Sequence, residues 1–149
     1  MTTLGQYKIR WRWLRFMYVY TIIISAGFGL AQLAQPARVQ AMFGMPAQDP
    51  MVFSLGASIF LAFGLVAILG LRAPLRFCPL LLMELAYKVI WLCGVVIPLA
   101  IRGQFPKSSA VEVAIFVTFV VGDAIAIPFR YLFSREIVGV TAVGSQSGE

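Results

Sequence analysis

Four long runs of apolar residues constrain this chain more than any other feature. They extend from about Phe16 to Ala34, Met51 to Leu71, Pro79 to Ile101 and Val111 to Phe129. A bilayer core about 30 Å thick needs about 20 apolar residues of helix to cross it. Backbone groups surrounded by lipid must pair within their own segment, so each run predicts a helix. The alternating pattern of a membrane barrel strand is absent. The links at Arg72–Cys78 and Arg102–Ser109 are short, which makes sequential helices antiparallel neighbours. The expected fold is all-α: an integral membrane protein with four transmembrane helices in an up-down-up-down bundle.

Composition agrees. Hydrophobic residues make up 60% of the chain and charged residues 12%, with a mean hydropathy of +0.89. Soluble domains carry about 45–50% apolar and about 25% charged residues. A soluble enzyme and a disordered chain are both excluded. The sequence contains no histidine, the commonest ligand for zinc and haem iron and the commonest general base.

Basic residues set the orientation, because they favour cytoplasmic flanks. With the N-terminus inside, Lys8, Arg10, Arg12, Arg15, Arg72, Arg76, Arg130 and Arg135 are cytoplasmic, against Arg38, Arg102 and Lys107 outside. Both termini are therefore expected in the cytoplasm of a multi-pass protein. The net charge of +6 reads as a topology and anionic-lipid signal and requires no nucleic acid. An N-terminal signal peptide is the competing reading. The first run exceeds a usual h-region of about 7–15 residues, however, and no clean A-x-A site follows it.

Three segments result. Residues 1–15 form a basic, aromatic interfacial segment, in which Lys8, Arg10, Trp11, Arg12, Trp13 and Arg15 suit lipid headgroups. Residues 16–135 form the transmembrane domain, and 136–149 a small, polar, flexible cytoplasmic tail. In the first outer link, Pro36 suits a helix start, Gly44 a left-handed stop, and Val39, Met42 and Phe43 share one face. A short amphipathic helix on the membrane surface is expected there. Small residues at spacing four mark candidate packing seams: Ala114, Thr118, Gly122 and Ala126; Ser54, Ser58 and Ala62; Ser25 and Gly29. Pro98 and Pro128 lie near helix ends, where termination is the favoured reading over a kink.

The informative chemistry lies in charges within the apolar runs. Such a charge costs on the order of 3 kcal/mol at the bilayer centre. Glu84 precedes Lys88 by four residues, the favourable order for a helical ion pair. At 1.5 Å per residue, Glu84, Lys88 and Asp123 lie roughly 8, 14 and 9 Å from the cytoplasmic side, so adjacent helices would bring them into one cluster. Tyr87 and Trp91 share a face beside it, and Arg130 is placed to close it from below. Two readings stay open. In one, Lys88 is neutralised by both carboxylates and the network fixes helix register. In the other, the surplus carboxylate exchanges protons beside a small polar cavity for a headgroup, a quinone or a small cation.

Other chemistry is largely excluded. Cys78 and Cys93 are about 22 Å apart along one helix, too far to bridge. No set of metal ligands exists without histidine, and neither a phosphate loop nor a nucleotide fingerprint is present. No cofactor held through side-chain ligands is expected; a lipid or quinone is the open ligand class.

Three stretches carry a resemblance: Leu82-Met-Glu-Leu-Ala-Tyr-Lys-Val-Ile-Trp-Leu92; Ile97-Pro with Arg102-Gly-Gln-Phe-Pro106; and Gly122-Asp-Ala-Ile-Ala-Ile-Pro-Phe-Arg-Tyr131. Together they resemble small bacterial four-helix membrane proteins near the DoxX-like group, over about residues 50–133. The resemblance implies a bundle in a bacterial inner membrane. Some DoxX-related proteins are tied to membrane oxidoreductase systems, but no residue here supplies a redox centre.

The leading expectation is a non-catalytic accessory or assembly subunit of a larger respiratory or photosynthetic membrane complex. Its partners would be membrane lipids and other membrane subunits, or further copies of itself. The alternative is a small proton-coupled transporter, or a lipid- or quinone-binding protein, using Glu84 and Asp123. A quinone- or lipid-modifying enzyme ranks last, because no redox or nucleophilic group completes a mechanism.

Overall fold

The computed structural model describes residues 9–133. Lys8, Arg135 and the tail at 136–149 lie outside the described residues. No strand forms among the described residues, and four helices are long and apolar enough to cross a membrane. These are α1 (Trp11–Ala34), α3 (Pro50–Arg72), α4 (Cys78–Ile101) and α5 (Lys107–Ala126). Two short helices complete the set: α2 (Pro36–Met42) and α6 (Phe129–Leu132). Two compact units are distinguished. One contains Trp11–Ile127; the other contains, among the described residues, Arg10 and residues 128–133, including α6.

Within the larger unit the long helices contact one another in a ring: α1 on α3, α3 on α4, α4 on α5, and α5 back on α1. The α1–α3 crossing is close because its residues are small. A Cβ placed on Gly29 would lie 2.6 Å from the Ala57 carbonyl oxygen, and one on Gly64 would strike the Ala26 backbone. Lipid tails solvate apolar side chains as well as other helices do, so such close backbone packing is what holds helices together.

This seam differs from the expected one. On α3 the buried positions are Ala57, Gly64, Ala67 and Gly70, whereas Ser58 and Ala62 face outward. On α5, Gly122 and Ala126 are buried but Ala114 and Thr118 are exposed. A helix rich in small residues offers spacing-four sets on several faces, and spacing alone does not select the one that packs.

Helix ends follow local chemistry. Asp49 caps α3, its carboxylate accepting from the backbone N–H of Met51 at 2.9 Å and of Val52 at 3.0 Å, and Pro50 opens the first turn. Pro36 opens α2, and Gly44 follows it at φ +61°, the left-handed region glycine favours. Val39 is buried and Phe43 stacks edge-on against Phe28 at 5.3 Å, so part of the α2 face packs on protein, while Met42 points outward. α1 starts at Trp11, five residues before the apolar run, so Trp11, Arg12, Trp13 and Arg15 belong to its first turns.

The two prolines behave differently. Ile127 is extended (ψ 122°) before Pro128, and α5 ends there. Pro98, expected to terminate its helix, does not: α4 continues to Ile101. The five residues before Ile97, Leu92–Val96, widen into a π turn. Proline clashes with the carbonyl four residues back, and a local π adjustment relieves such a clash in membrane helices. A second π turn, Ile22–Ala26, interrupts α1.

Candidate functional site

Cys78, Leu81, Glu84 and Lys88 form the buried stripe of α4. Glu84 and Lys88, one turn apart, make an ion pair of 2.7 Å, with both side chains essentially inaccessible. Hydroxyls from α1 complete the carboxylate. Thr21 Oγ1 donates to Glu84 Oε2 at 2.8 Å, and Ser25 Oγ donates to Oε1 at 3.1 Å. Ser25 lies inside the π turn of α1, a feature often found at functional positions. Glu84 thus accepts three charge-assisted or hydroxyl bonds and joins α4 to α1 across the ring.

The Lys88 ammonium has three N–H donors. One serves Glu84. Around it stand three aromatic rings, with centroids at 3.9 Å (Phe119), 4.6 Å (Tyr87) and 5.5 Å (Phe116). Negative ring faces attract a cation within about 6 Å, most strongly when water is excluded. Carboxylate and aromatic cage together make a buried ammonium tolerable.

Asp123 does not join this pair. It is 0% exposed, and both carboxylate oxygens lack a hydrogen-bond partner. Phe119 presents its ring to the ammonium where a second carboxylate was expected. Asp123 thus makes neither an ion pair nor a hydrogen bond with Lys88.

The remaining candidates divide. Tyr87 packs beside the pair, between Phe63 and Phe116, and its buried hydroxyl has no partner. Trp91 stacks edge-on with Phe116 at 5.1 Å. Arg130 is exposed on α6, in the other compact unit. Arg10, Trp11, Arg12, Trp13 and Arg15 are all exposed, as headgroup contact requires.

A chamber of about 30 Å³ adjoins the ion pair, with Ser25, Tyr87, Lys88 and Glu112 among its lining residues. That volume admits a water molecule. Sequence reasoning missed Thr21, treated Ser25 as packing alone, and did not count Glu112. Hydroxyl residues one turn apart at the depth of a buried carboxylate were the available signal for the first helix. Glu112 stands near the start of a long apolar helix, where it reads as a boundary charge. Among the described residues no group of side chains suits a metal ion, and both cysteines are free thiols.

Comparison with protein families, with curated proteins and with solved structures finds no match to this chain. The four apolar helices make it a candidate multi-pass membrane protein.

Proposed function

We propose that this chain is a non-catalytic accessory or assembly subunit of a larger membrane complex, respiratory or photosynthetic, in a bacterial inner membrane. Its helices form an up-down-up-down bundle with both termini in the cytoplasm, akin to the DoxX-like proteins. One observation carries the reading: the Glu84–Lys88 pair is closed. Glu84 is bonded by Lys88, Thr21 and Ser25, and Lys88 is covered by aromatic rings. The chamber beside it, about 30 Å³, is too small for a headgroup or a quinone ring. Such an arrangement fixes helix geometry rather than transforming a substrate. The exposed Trp11, Arg12, Trp13 and Arg15 suit lipid headgroups. Mild-detergent extraction of tagged protein from native membranes is the test. Stoichiometric copurification of other membrane subunits is expected; a lone, monodisperse particle would contradict the proposal.

Asp123 favours a second reading. A buried carboxyl without a partner is the kind of group a proton-coupled transporter uses. Proton-driven uptake in proteoliposomes that disappears in Asp123→Asn would support it. Absence of any proton flux in the native protein would dismiss it.

A further inference from the structure

The outward side of the first turns of α1 combines cations with an aromatic track. Arg12, Trp13 and Phe16 line an open groove of about 430 Å³. Arg15, three residues beyond Arg12, is its neighbour on the helix surface, and all four side chains are exposed. Trp13 meets Phe16 edge-on at 5.6 Å, Phe16 stacks on Tyr20 at 6.0 Å, and Tyr20 packs on Phe119 of α5 at 4.6 Å. The Tyr20 hydroxyl shares a hydrogen bond of 2.7 Å with Thr118 Oγ1, which fixes the foot of this ladder to α5. From Trp13 to Tyr20 the ladder covers about 10 Å of helix. The two arginines have no charge partner: among the described residues neither makes an ion pair or a hydrogen bond. Glu84 and Asp123 are fully buried. Asp49 and Glu112 stand at the starts of α3 and α5, whose opposite ends meet the first turns of α1 at Gly70 and Gly122.

We propose that this surface is a site for one anionic phospholipid, with Arg12 and Arg15 on the headgroup phosphate and an acyl chain along Trp13, Phe16 and Tyr20. Guanidinium groups match phosphate oxygens in paired hydrogen bonds, and aromatic rings suit the boundary between headgroup and chain. The preference for an anionic headgroup follows from the missing carboxylate. Phosphatidylcholine also carries a phosphate, but its trimethylammonium would sit beside two arginines with no acidic side chain to receive it. A headgroup without that cation avoids the repulsion and keeps the attraction. The site gives a lipid class to the headgroup contact proposed for this end of the protein. It needs no partner subunit, so its failure would leave the assembly role untouched.

The test uses the full chain in phosphatidylcholine nanodiscs, with Trp11→Phe and Trp91→Phe leaving Trp13 as the one tryptophan. Brominated phosphatidylglycerol and brominated phosphatidylcholine of equal chain length are compared as quenchers of its fluorescence. Phosphatidylglycerol is expected to occupy the site at least about fivefold more readily. Arg12→Gln combined with Arg15→Gln should bring the two lipids level. Arg76→Gln, on the link that Tyr18 bonds through Pro74, should leave the preference in place. Equal quenching by the two lipids with both arginines present, or a preference that survives their replacement, overturns the proposal. So does a loss matched by Arg76→Gln, which would mean diffuse attraction to a charged bilayer. If the single-tryptophan chain does not fold, native mass spectrometry of the unsubstituted protein from mixed nanodiscs decides. One retained phosphatidylglycerol, lost when both arginines are replaced, is expected; no retained lipid, or equal retention by the variant, overturns the proposal.

Discussion

At the scale of single residues, two buried carboxyl groups occupy opposite situations. Glu84 is fully partnered and Asp123 is not. Removing a donor to Glu84 should therefore cost stability, while removing Asp123 should not. Thr21→Val is expected to lose about 1.5–3 kcal/mol, the range for a hydrogen bond to a charged group. Asp123→Leu is expected to be neutral or stabilising, since it deletes a desolvated carboxyl that bonds nothing. Reversible unfolding in mixed micelles compares both with the native protein. The adjacency of Glu84 and Lys88 was legible because it needs only helical spacing. The Thr21 and Ser25 contacts were not, because they depend on how α1 lies against α4. That Asp123 makes no bond to Lys88 was hidden for a related reason: depth along an axis is readable from sequence, but which side chains meet the ammonium is not.

At the scale of elements, small residues decide how closely helices approach. Gly64 meets the Ala26 backbone, whereas Ser58 faces outward on the same helix. Gly64→Leu should cost at least about 1–3 kcal/mol through overpacking, and Ser58→Leu almost nothing. Thermal unfolding of the two variants in one detergent checks the contrast. The helices were readable from hydropathy, because the length of an apolar run maps directly onto bilayer thickness. The α1 seam at Ser25 and Gly29 was readable too, and both are buried, but the α3 seam and the first half of the α5 seam were not, because periodicity in a helix rich in glycine and alanine fits more than one face. The apolar run continues past Pro98 to Ile101, but the π turn that lets α4 pass through the proline is a property of backbone geometry and was not readable.

For the whole molecule, sidedness follows from the placement of arginine and lysine rather than from any packed contact. In a background with Cys78 and Cys93 replaced by alanine, Gln104→Cys should react with an impermeant maleimide in intact spheroplasts. Ala73→Cys should react only after permeabilisation. The reverse pattern would invert the proposed topology. The class of molecule was evident from four apolar runs, and four spanning-length helices are present. A cavity at the 35–49 and 102–109 links draws Gln32, Trp91 and Glu112 from three helices, and no local motif joins them.

Glu84 and Lys88 act as one closed unit, and the hydroxyls of Thr21 and Ser25 tie that unit to α1. A double-mutant cycle on Glu84→Leu and Lys88→Met, followed by reversible unfolding, addresses it most directly. Each single change leaves an uncompensated buried charge and should cost about 3–5 kcal/mol, whereas the double replacement should recover most of that loss. Losses that simply add would show that the two side chains do not depend on each other, and would contradict the account.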